Sequence, residues 1–141
     1  MAIRAKRFEY EVALAPDGSL TADGAARVEL DERWAADHVL LASLLRCILT
    51  SLRYHADRAG VEVASAQALA NGAVTKRETD GRYALVEVEC RLDVALVPAP
   101  AEPGELLARA ERDCFVGASL TVTPQYTWVV NGASVSTPEP D

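Results

Sequence analysis

The stretch from Asp37 to Ala59, which reads DHVLLASLLRCILTSLRYHADRA, decides the fold class of this chain. Its apolar residues recur at helical spacing and cover more than one narrow face, so we expect a helix that is covered on both sides. Gly60 is well placed to end this helix. At about 23 residues, or ~35 Å, the helix is long for a small domain. It is therefore expected to pack against a partner as well as its own sheet, and a homodimer is the natural expectation.

Segments typical of strands lie on both sides of the long helix. In chain order we expect two strands at 8–14 and 25–30, the long helix, two strands at 61–76 and 82–97, a short helix at 105–112 and a last strand at 119–130. A turn at Pro16 to Gly18 joins the first two strands into a hairpin. This order predicts the α+β class, with mainly antiparallel sheets packed around a long central helix.

The clearest strand is the one at 82–97, because its residues alternate strictly. One face carries the apolar set Val86, Val88, Cys90, Leu92 and Val94, and the other carries Glu87, Glu89, Arg91 and Asp93. Successive side chains of a strand point to opposite faces, so one face belongs to the core and the other to solvent. Cys90 lies on the core face and is predicted to be structural.

Length and charge limit the organisation and the partners of the chain. Its 141 residues are about one domain long, and half of them are hydrophobic. We predict a single domain over residues 1–133 and a frayed C-terminal tail at 134–141. The formal net charge of -7 opposes binding to nucleic acid or to anionic membrane surfaces. No secretory signal is evident, and the longest apolar stretch is interrupted by polar residues, which predicts a soluble, cytoplasmic protein without membrane partners.

The cysteine count argues against disulfide scaffolds and zinc sites. The chain has three cysteines and two histidines, with no C-x-x-C pair. An odd count without repeated spacing does not fit a secreted disulfide framework. No local pair of ligands seeds a four-ligand zinc site. We therefore expect no metal and no cofactor.

Cys47 and Cys114 are the candidate reactive thiols, and each also has a purely structural interpretation. Cys47 lies mid-helix beside Ser43, Thr50 and Ser51, a small polar patch, yet pattern alone favours a buried cysteine that acts as a small hydrophobe. Cys114 lies where the short helix meets the last strand, a place that exposes groups for chemistry as often as it buries them. The two are 67 residues apart (114 minus 47), so only the fold can bring them together.

Three ionisable residues of the long helix are possible partners of the thiols, namely Asp37, His38 and His55. Asp37 opens the helix, where a carboxylate caps N–H groups and suits the positive end of the dipole. His38 and His55 fit surface or half-buried helix positions better than catalytic bases. His55 lies on roughly the same face as Cys47 but ~12 Å along the axis, so contact with the thiol does not follow.

Two segments resemble motifs of the OsmC and organic hydroperoxide resistance (OsmC-like) superfamily. The segment 34–47, WAADHVLLASLLRC, looks like the family's helix opening, which runs through Leu and Ala to a reactive cysteine. The segment 110–120, AERDCFVGASL, looks like its second-cysteine motif, which precedes the closing strand. The two motifs occur in the family's order, and the resemblance covers most of the chain.

The resemblance implies an intertwined homodimer that reduces organic hydroperoxides in the oxidative stress response. Cys47 would attack the O–O bond and become a sulfenic acid, and Cys114 would capture it as a disulfide. A dithiol reductant would then recycle the pair. Asp37 stands ten residues before Cys47, where the family has a catalytic Glu. Ten helical residues span ~15 Å, so Asp37 could serve the thiol only across the dimer.

The resemblance also implies an arginine that steadies the thiolate, and its expected position is filled by other residues. Arg4, Arg27 and Arg33 remain as candidates to replace it. A missing arginine favours the alternative function, which is a non-catalytic OsmC-like dimer that binds a small ligand in an apolar interface pocket.

Overall fold

A computed structural model of the chain describes residues 5–138, which divide into two compact units, 5–36 and 37–138. Each unit is described by itself below. The single domain over residues 1–133 stays a prediction.

The first unit contains a short hairpin. Strand β1 (Val12–Leu14) pairs antiparallel with β2 (Leu20–Ala22). In the turn between them, the Asp17 carboxylate accepts hydrogen bonds from the backbone N–H and the hydroxyl of Ser19, at 2.9 and 2.7 Å. The hairpin and its turn therefore agree with the sequence prediction, although β1 is shorter than the expected strand at 8–14.

The second strand of this hairpin was placed wrongly by the sequence pattern, which predicted 25–30. The chain leaves the ladder after Ala22, because Asp23 and Gly24 both have positive φ values of 44° and 81°. A positive φ is incompatible with a continuing strand. Val28 forms only an isolated bridge to Leu20.

The second unit begins with the long helix, α1 (Ala36–Arg58). It starts one residue before the predicted Asp37, and Gly60 ends it with a φ of 73°, as expected. Its buried face is formed by Leu44, Cys47, Ile48, Ser51, Leu52 and Ala56. One face of α1 therefore enters the core of its own chain, and coverage of the other face by a partner stays a prediction.

By length and composition alone, helix α1 could cross a membrane, and it is the one such helix among residues 5–138. The polar residues that interrupt its apolar stretch therefore do not by themselves exclude a membrane span, although the sequence prediction relied on them. The core helix of a soluble domain has the same length and composition. The buried face of α1 and the exposed Arg46 and Arg53 fit that interpretation.

Two long strands and two short helices follow α1. Strands β3 (Glu62–Lys76) and β4 (Tyr83–Val97) form a long antiparallel hairpin. Helix α2 (Pro103–Arg112) confirms the predicted short helix and begins two residues earlier, with Pro103 in its first turn. Helix α3 (Phe115–Ser119) was not predicted.

The last two strands complete a four-stranded sheet in the order β3-β4-β5-β6. Strand β5 (Gln125–Val130) pairs parallel with β4, and β6 (Ala133–Val135) pairs antiparallel with β5. The sheet is thus mixed, since α2 and α3 provide the crossover that a parallel pair requires. The predicted strand at 119–130 begins only at Gln125, directly after Pro124, which has no N–H for a ladder.

The predicted tail begins later than expected. Asn131 and Gly132, with φ values of 51° and 84°, form a tight turn that returns the chain into β6. Ser134 and Val135 therefore belong to the sheet. Residues 139–141 of the predicted tail lie outside the described part of the chain.

The core of the second unit is one cluster in which the predicted strand face is confirmed. Val88, Cys90, Leu92 and Val94 are buried, and Val86 is half-buried. The predicted inward residues of α2 are also buried, namely Leu106, Leu107 and Ala110. They form a single cluster with the buried face of α1. This packing places Cys47, Cys90 and Cys114 in the same core.

Candidate functional site

The three cysteines converge from three different elements. Cys47 lies on α1, Cys90 on β4, and Cys114 immediately before α3. All three are free thiols. All three belong to one buried cluster, in which Cys47 raises the pKa of Cys114 and Cys114 raises the pKa of Cys90. The fold thus brings Cys47 and Cys114 near each other, although 67 positions separate them in the sequence.

Exposure distinguishes the two candidate thiols. Cys47 keeps 8% of its surface exposed, whereas Cys114 keeps 0%. Burial is the largest cause of the raised pKa of Cys114, and the neighbouring Cys47 raises the pKa further. The backbone of Gly117 and the hydroxyl of Tyr126 partly offset this increase in the pKa. The net result is a thiol that stays protonated at neutral pH.

Gly117 is a position where the backbone must approach the site closely. A Cβ there would lie 3.0 Å from the Tyr126 Oη atom, and 3.7 Å from both Cys114 Sγ and Leu44 Cδ1. The first distance is shorter than almost all real Cβ contacts, so a side chain at position 117 would require the tyrosine hydroxyl to shift by a few tenths of an ångström. The glycine therefore permits the contact between Tyr126 and Cys114.

Tyr126 and Cys90 are neighbours in the parallel ladder of β4 and β5. Burial raises the pKa of Tyr126 above its ordinary value, and the thiols of Cys114 and Cys90 raise it further. Burial, followed by the charge of Cys114, raises the pKa of Cys90 to about 11. A thiol with this pKa is a poor nucleophile at neutral pH, which fits the structural role predicted for Cys90.

Two hydrogen bonds fix α1 against the end of α2. The buried Ser51 hydroxyl donates to the Ala110 carbonyl at 2.8 Å. One turn later, His55 Nε2 lies 2.7 Å from Asp113 Oδ2. The pKa of Asp113 is lowered, first by Arg112 and then by His55. Because Asp113 directly precedes Cys114, this contact holds the second thiol in place.

Sequence analysis missed the roles of Ser51, His55, Gly117 and Tyr126. His55 was expected to be surface or half-buried, and it is half-buried, but its partner is Asp113 and not the thiol. Cys47, Ser51 and His55 recur every four residues, so their helical spacing was the available signal for one functional face. Nothing in the sequence pattern alone pairs Tyr126 with Cys114.

Of the other candidate site residues, Asp37 belongs to the second unit, and Arg27 and Arg33 belong to the first. Asp37 is exposed in the first turn of α1, ten residues before Cys47. Arg27 pairs with Asp17 and Glu29 inside the first unit. Arg33 pairs with Asp31 in the same unit, at 3.2 Å. Arg4 lies outside the described residues.

A groove of about 670 Å³ adjoins the thiol cluster. Gly117 and Tyr126, which contact Cys114, also line the groove, together with apolar residues of the segment before β5. A cavity of about 750 Å³ elsewhere has none of the three cysteines in its lining. The smaller groove is therefore the relevant one, because it shares two walls with the second thiol.

Glu111 is the half-buried carboxylate in the wall of this groove. Trp128 Nε1 donates a hydrogen bond to its Oε2 atom at 2.9 Å. Burial raises the pKa of Glu111, while the hydrogen bonds from Trp128 and Thr137 partly counteract the increase. The carboxylate therefore takes up a proton at higher pH than an exposed Glu does.

Residues 5–138 contain no group of three or more His, Cys, Asp or Glu side chains arranged to hold a metal ion. The chemistry that the cluster itself offers is that of neighbouring thiols, which can be oxidised to a disulfide and reduced again.

Comparison with known proteins relates the sequence of the chain to one family. Residues 30–129 match the family model described as OsmC-like protein. Among curated proteins, no sequence matches the chain. An OsmC-like protein of unknown function from Vibrio cholerae is similar in structure, with a TM-score of 0.71 at 14% identity, over 89% of this chain and 100% of that one.

Two further solved structures have similar folds. An organic hydroperoxide resistance protein from Elizabethkingia anophelis has a TM-score of 0.66 at 16% identity, over 91% of this chain and 100% of that one. An OsmC-like protein from Mycoplasma pneumoniae has a TM-score of 0.62 at 17% identity, over 89% and 99%. At these identities the likeness establishes the fold alone.

The Ser51→Ala change should destabilise the protein by about 1–3 kcal/mol, because it leaves the Ala110 carbonyl without its buried donor. Ser43→Ala is the matched control, since that hydroxyl donates to Leu40 of its own helix, and its effect should stay within about 0.5 kcal/mol. Urea unfolding of the three proteins measures both. Equal effects of the two changes would contradict the role given to Ser51.

The Glu111→Gln change should raise the melting temperature at pH 7 and have little effect at pH 4. Because the pKa of Glu111 is raised in the folded protein, the contribution of its neutral carboxyl to stability is fully present below the unfolded-state pKa. That contribution is lost as pH rises through the folded-state pKa. Glutamine removes the buried charge and keeps an oxygen for the Trp128 N–H. Thermal unfolding at both pH values tests this, with the exposed Glu87→Gln as control; a pH-independent difference would refute it.

Proposed function

The chain belongs to the OsmC-like protein family, and from this premise we propose that it is a thiol-dependent peroxidase that reduces organic hydroperoxides through Cys47 and Cys114. The observation that carries the proposal is the proximity of these two thiols in one buried cluster, although they are 67 residues apart in the sequence (114 minus 47). The Elizabethkingia anophelis relative, named an organic hydroperoxide resistance protein, supports the choice of substrate.

The proposed reaction uses Cys47 as the attacking thiol, because it is the more exposed of the pair. Its thiolate attacks one oxygen of the hydroperoxide; an S–O bond forms, the O–O bond breaks, and the alcohol leaves with a proton. The Cys114 sulfur then attacks the sulfenic sulfur, an S–S bond forms, and water leaves. A dithiol reductant supplies the two electrons that restore both thiols.

Activation of Cys47 requires positive charge or hydrogen-bond donors near its sulfur. A carboxylate supplies neither of these, so we propose that Asp37 acts indirectly, by orienting an arginine beside the thiol. It would do so from the other copy of a homodimer, since ten helical residues separate it from Cys47 of its own chain by ~15 Å. Arg27 and Arg33 are each paired with acidic residues in the first unit, so neither is a free cation for the thiolate in that unit.

A second candidate function is the binding of a small ligand without catalysis, and the groove beside Tyr126 favours it. This groove, of about 670 Å³, is large enough for a small molecule and has a largely apolar lining. The raised pKa of Cys114 also favours a passive thiol. The two candidates differ in whether a hydroperoxide converts the thiols into a disulfide.

We propose that the protein acts in the cytoplasm as a homodimer. Strand β3 supports the dimer, because it is an edge strand of 15 residues, and long exposed edges are rarely left unpaired. Leu69 on β3 is 55% exposed, and Val39 and Leu40 on α1 are each 37% exposed. These residues give the chain apolar surface that a second copy would cover.

Light scattering coupled to size-exclusion chromatography should give twice the chain mass of 15.1 kDa. The Leu69→Glu change should shift the protein toward the monomer, because it places a charge in the proposed apolar contact. A wild-type protein that elutes at the single-chain mass at micromolar concentration would exclude the dimer.

The Cys47→Ser change should abolish the turnover of cumene hydroperoxide, and Cys114→Ser should leave Cys47 open to oxidation beyond the sulfenic acid. Stoichiometric cumene hydroperoxide should form a Cys47–Cys114 disulfide in the wild type, which mass spectrometry of the digested protein identifies. Cys90→Ala is the matched control and should keep the turnover. Unchanged wild-type thiols after this treatment would rule out the peroxidase and favour the ligand-binding function.

A further inference from the structure

We propose that Tyr126 is a positioning residue that directs reduction of the Cys47–Cys114 disulfide, because its hydroxyl donates a hydrogen bond to the Cys114 sulfur as that sulfur leaves. The inference rests on the thiol pair of the proposed function. It adds Tyr126 to the site and names Cys114 as the sulfur that leaves during reduction. The reductant is a dithiol.

The position of Cys114 fits the sulfur that leaves during reduction better than the sulfur that a reductant attacks. Cys114 is 0% exposed, whereas Cys47, although also buried, keeps 8% of its surface exposed, so an incoming reductant reaches Cys47 first. The Tyr126 hydroxyl lies beside the Cys114 sulfur, since a Cβ at Gly117 would be 3.0 Å from the hydroxyl oxygen and 3.7 Å from the sulfur. Hydrogen bonds to a charged acceptor are stronger than neutral ones, so a hydrogen bond from this hydroxyl gains strength as the sulfur becomes a thiolate.

Tyr126 is held in the geometry that this role needs. Its position in β5 is fixed by the ladder with Cys90 of β4, and Gly117 lies so close that a Cβ would reach 3.0 Å from the hydroxyl. Burial and the neighbouring thiols raise its pKa above the ordinary value, so the tyrosine stays protonated. It therefore acts as a fixed donor and not as an acid that loses its proton.

The reduction then proceeds in two balanced exchanges. A reductant thiolate attacks the Cys47 sulfur, a new S–S bond forms, the bond to Cys114 breaks, and Cys114 leaves with the electron pair as a thiolate. Solvent later protonates this thiolate. The second thiolate of the reductant then attacks the reductant sulfur that is bonded to Cys47. This step breaks the mixed disulfide, releases Cys47 as a thiolate and leaves the reductant as a cyclic disulfide. A leaving thiol with a lower pKa leaves faster.

The experiment isolates reduction from peroxide chemistry. The disulfide is formed with the thiol oxidant diamide, reduced with dithiothreitol, quenched with acid at intervals, and the freed thiols are alkylated and counted by mass spectrometry. Tyr126→Phe should slow the reduction about 3- to 10-fold, since the hydroxyl donor beside the leaving sulfur is lost. The exposed Tyr83→Phe is the matched control and should reduce at the wild-type rate.

Gly117→Ala tests the same contact without removing the hydroxyl. Its methyl group displaces the Tyr126 hydroxyl, so reduction should slow in the same direction. A second readout separates donation from a general loosening of the fold. In a Cys47→Ser background, Tyr126→Phe should raise the pH midpoint for alkylation of Cys114 by about one unit. Loosening alone would increase alkylation at every pH and leave the midpoint unchanged.

The outcomes for Tyr126 and for the peroxidase are distinguishable. Slow reduction of the Tyr126→Phe disulfide supports the inference, even if cumene hydroperoxide is not turned over by the wild type. A wild-type reduction rate, or an unchanged alkylation midpoint, overturns it and leaves the peroxidase intact. If diamide forms no Cys47–Cys114 disulfide, there is no such pair to reduce, and the inference is also overturned.

Discussion

The hydrogen bonds between α1 and the end of α2 are the interaction on which the arrangement of the thiols depends. Ser51 binds the Ala110 carbonyl and His55 binds Asp113, one and two turns after Cys47 on the same helix face. Since Asp113 precedes Cys114, any slide or rotation of α1 against α2 would separate the thiols. The apolar cluster supplies most of the stability of this unit, but apolar packing is not directional. The two polar contacts fix the register.

The sequence predicted those parts of the fold in which one strong periodicity decides the structure. The apolar run of α1, the alternation of β4 and the inward residues of α2 were all recovered. The strand expected at 25–30 failed because positive φ values after Ala22 end the ladder. Helix α3 was missed because a five-residue turn with a central glycine carries little periodicity of its own. Tertiary contacts at Gly117 and Cys114, rather than local preference, define that segment.

The candidate site was predicted only in part, for a related reason. Cys47 and Cys114 were identified through two linear motifs, since each motif is contiguous in the sequence. Tyr126 was not, because its proximity to Cys114 arises from the parallel pairing of β5 with β4, which no local pattern encodes. Asp37 and the arginines stay predictions, since their proposed roles involve a second copy of the chain or residues outside the described part.

 The parallel pairing of β4 and β5 also has a consequence for the newly made chain. Parallel neighbours require a crossover, and here Cys90 and its ladder partner Tyr126 are 36 positions apart in the sequence (126 minus 90). Contacts between residues this far apart form late, because the entropy of closing the intervening loop must be overcome first. Cys114 lies inside that loop, so its thiol reaches Cys47 only after most of the chain has been synthesised and β5 has docked. The topology thus keeps Cys47 and Cys114 apart during synthesis, and the proximity of their thiols becomes a property of the completed fold.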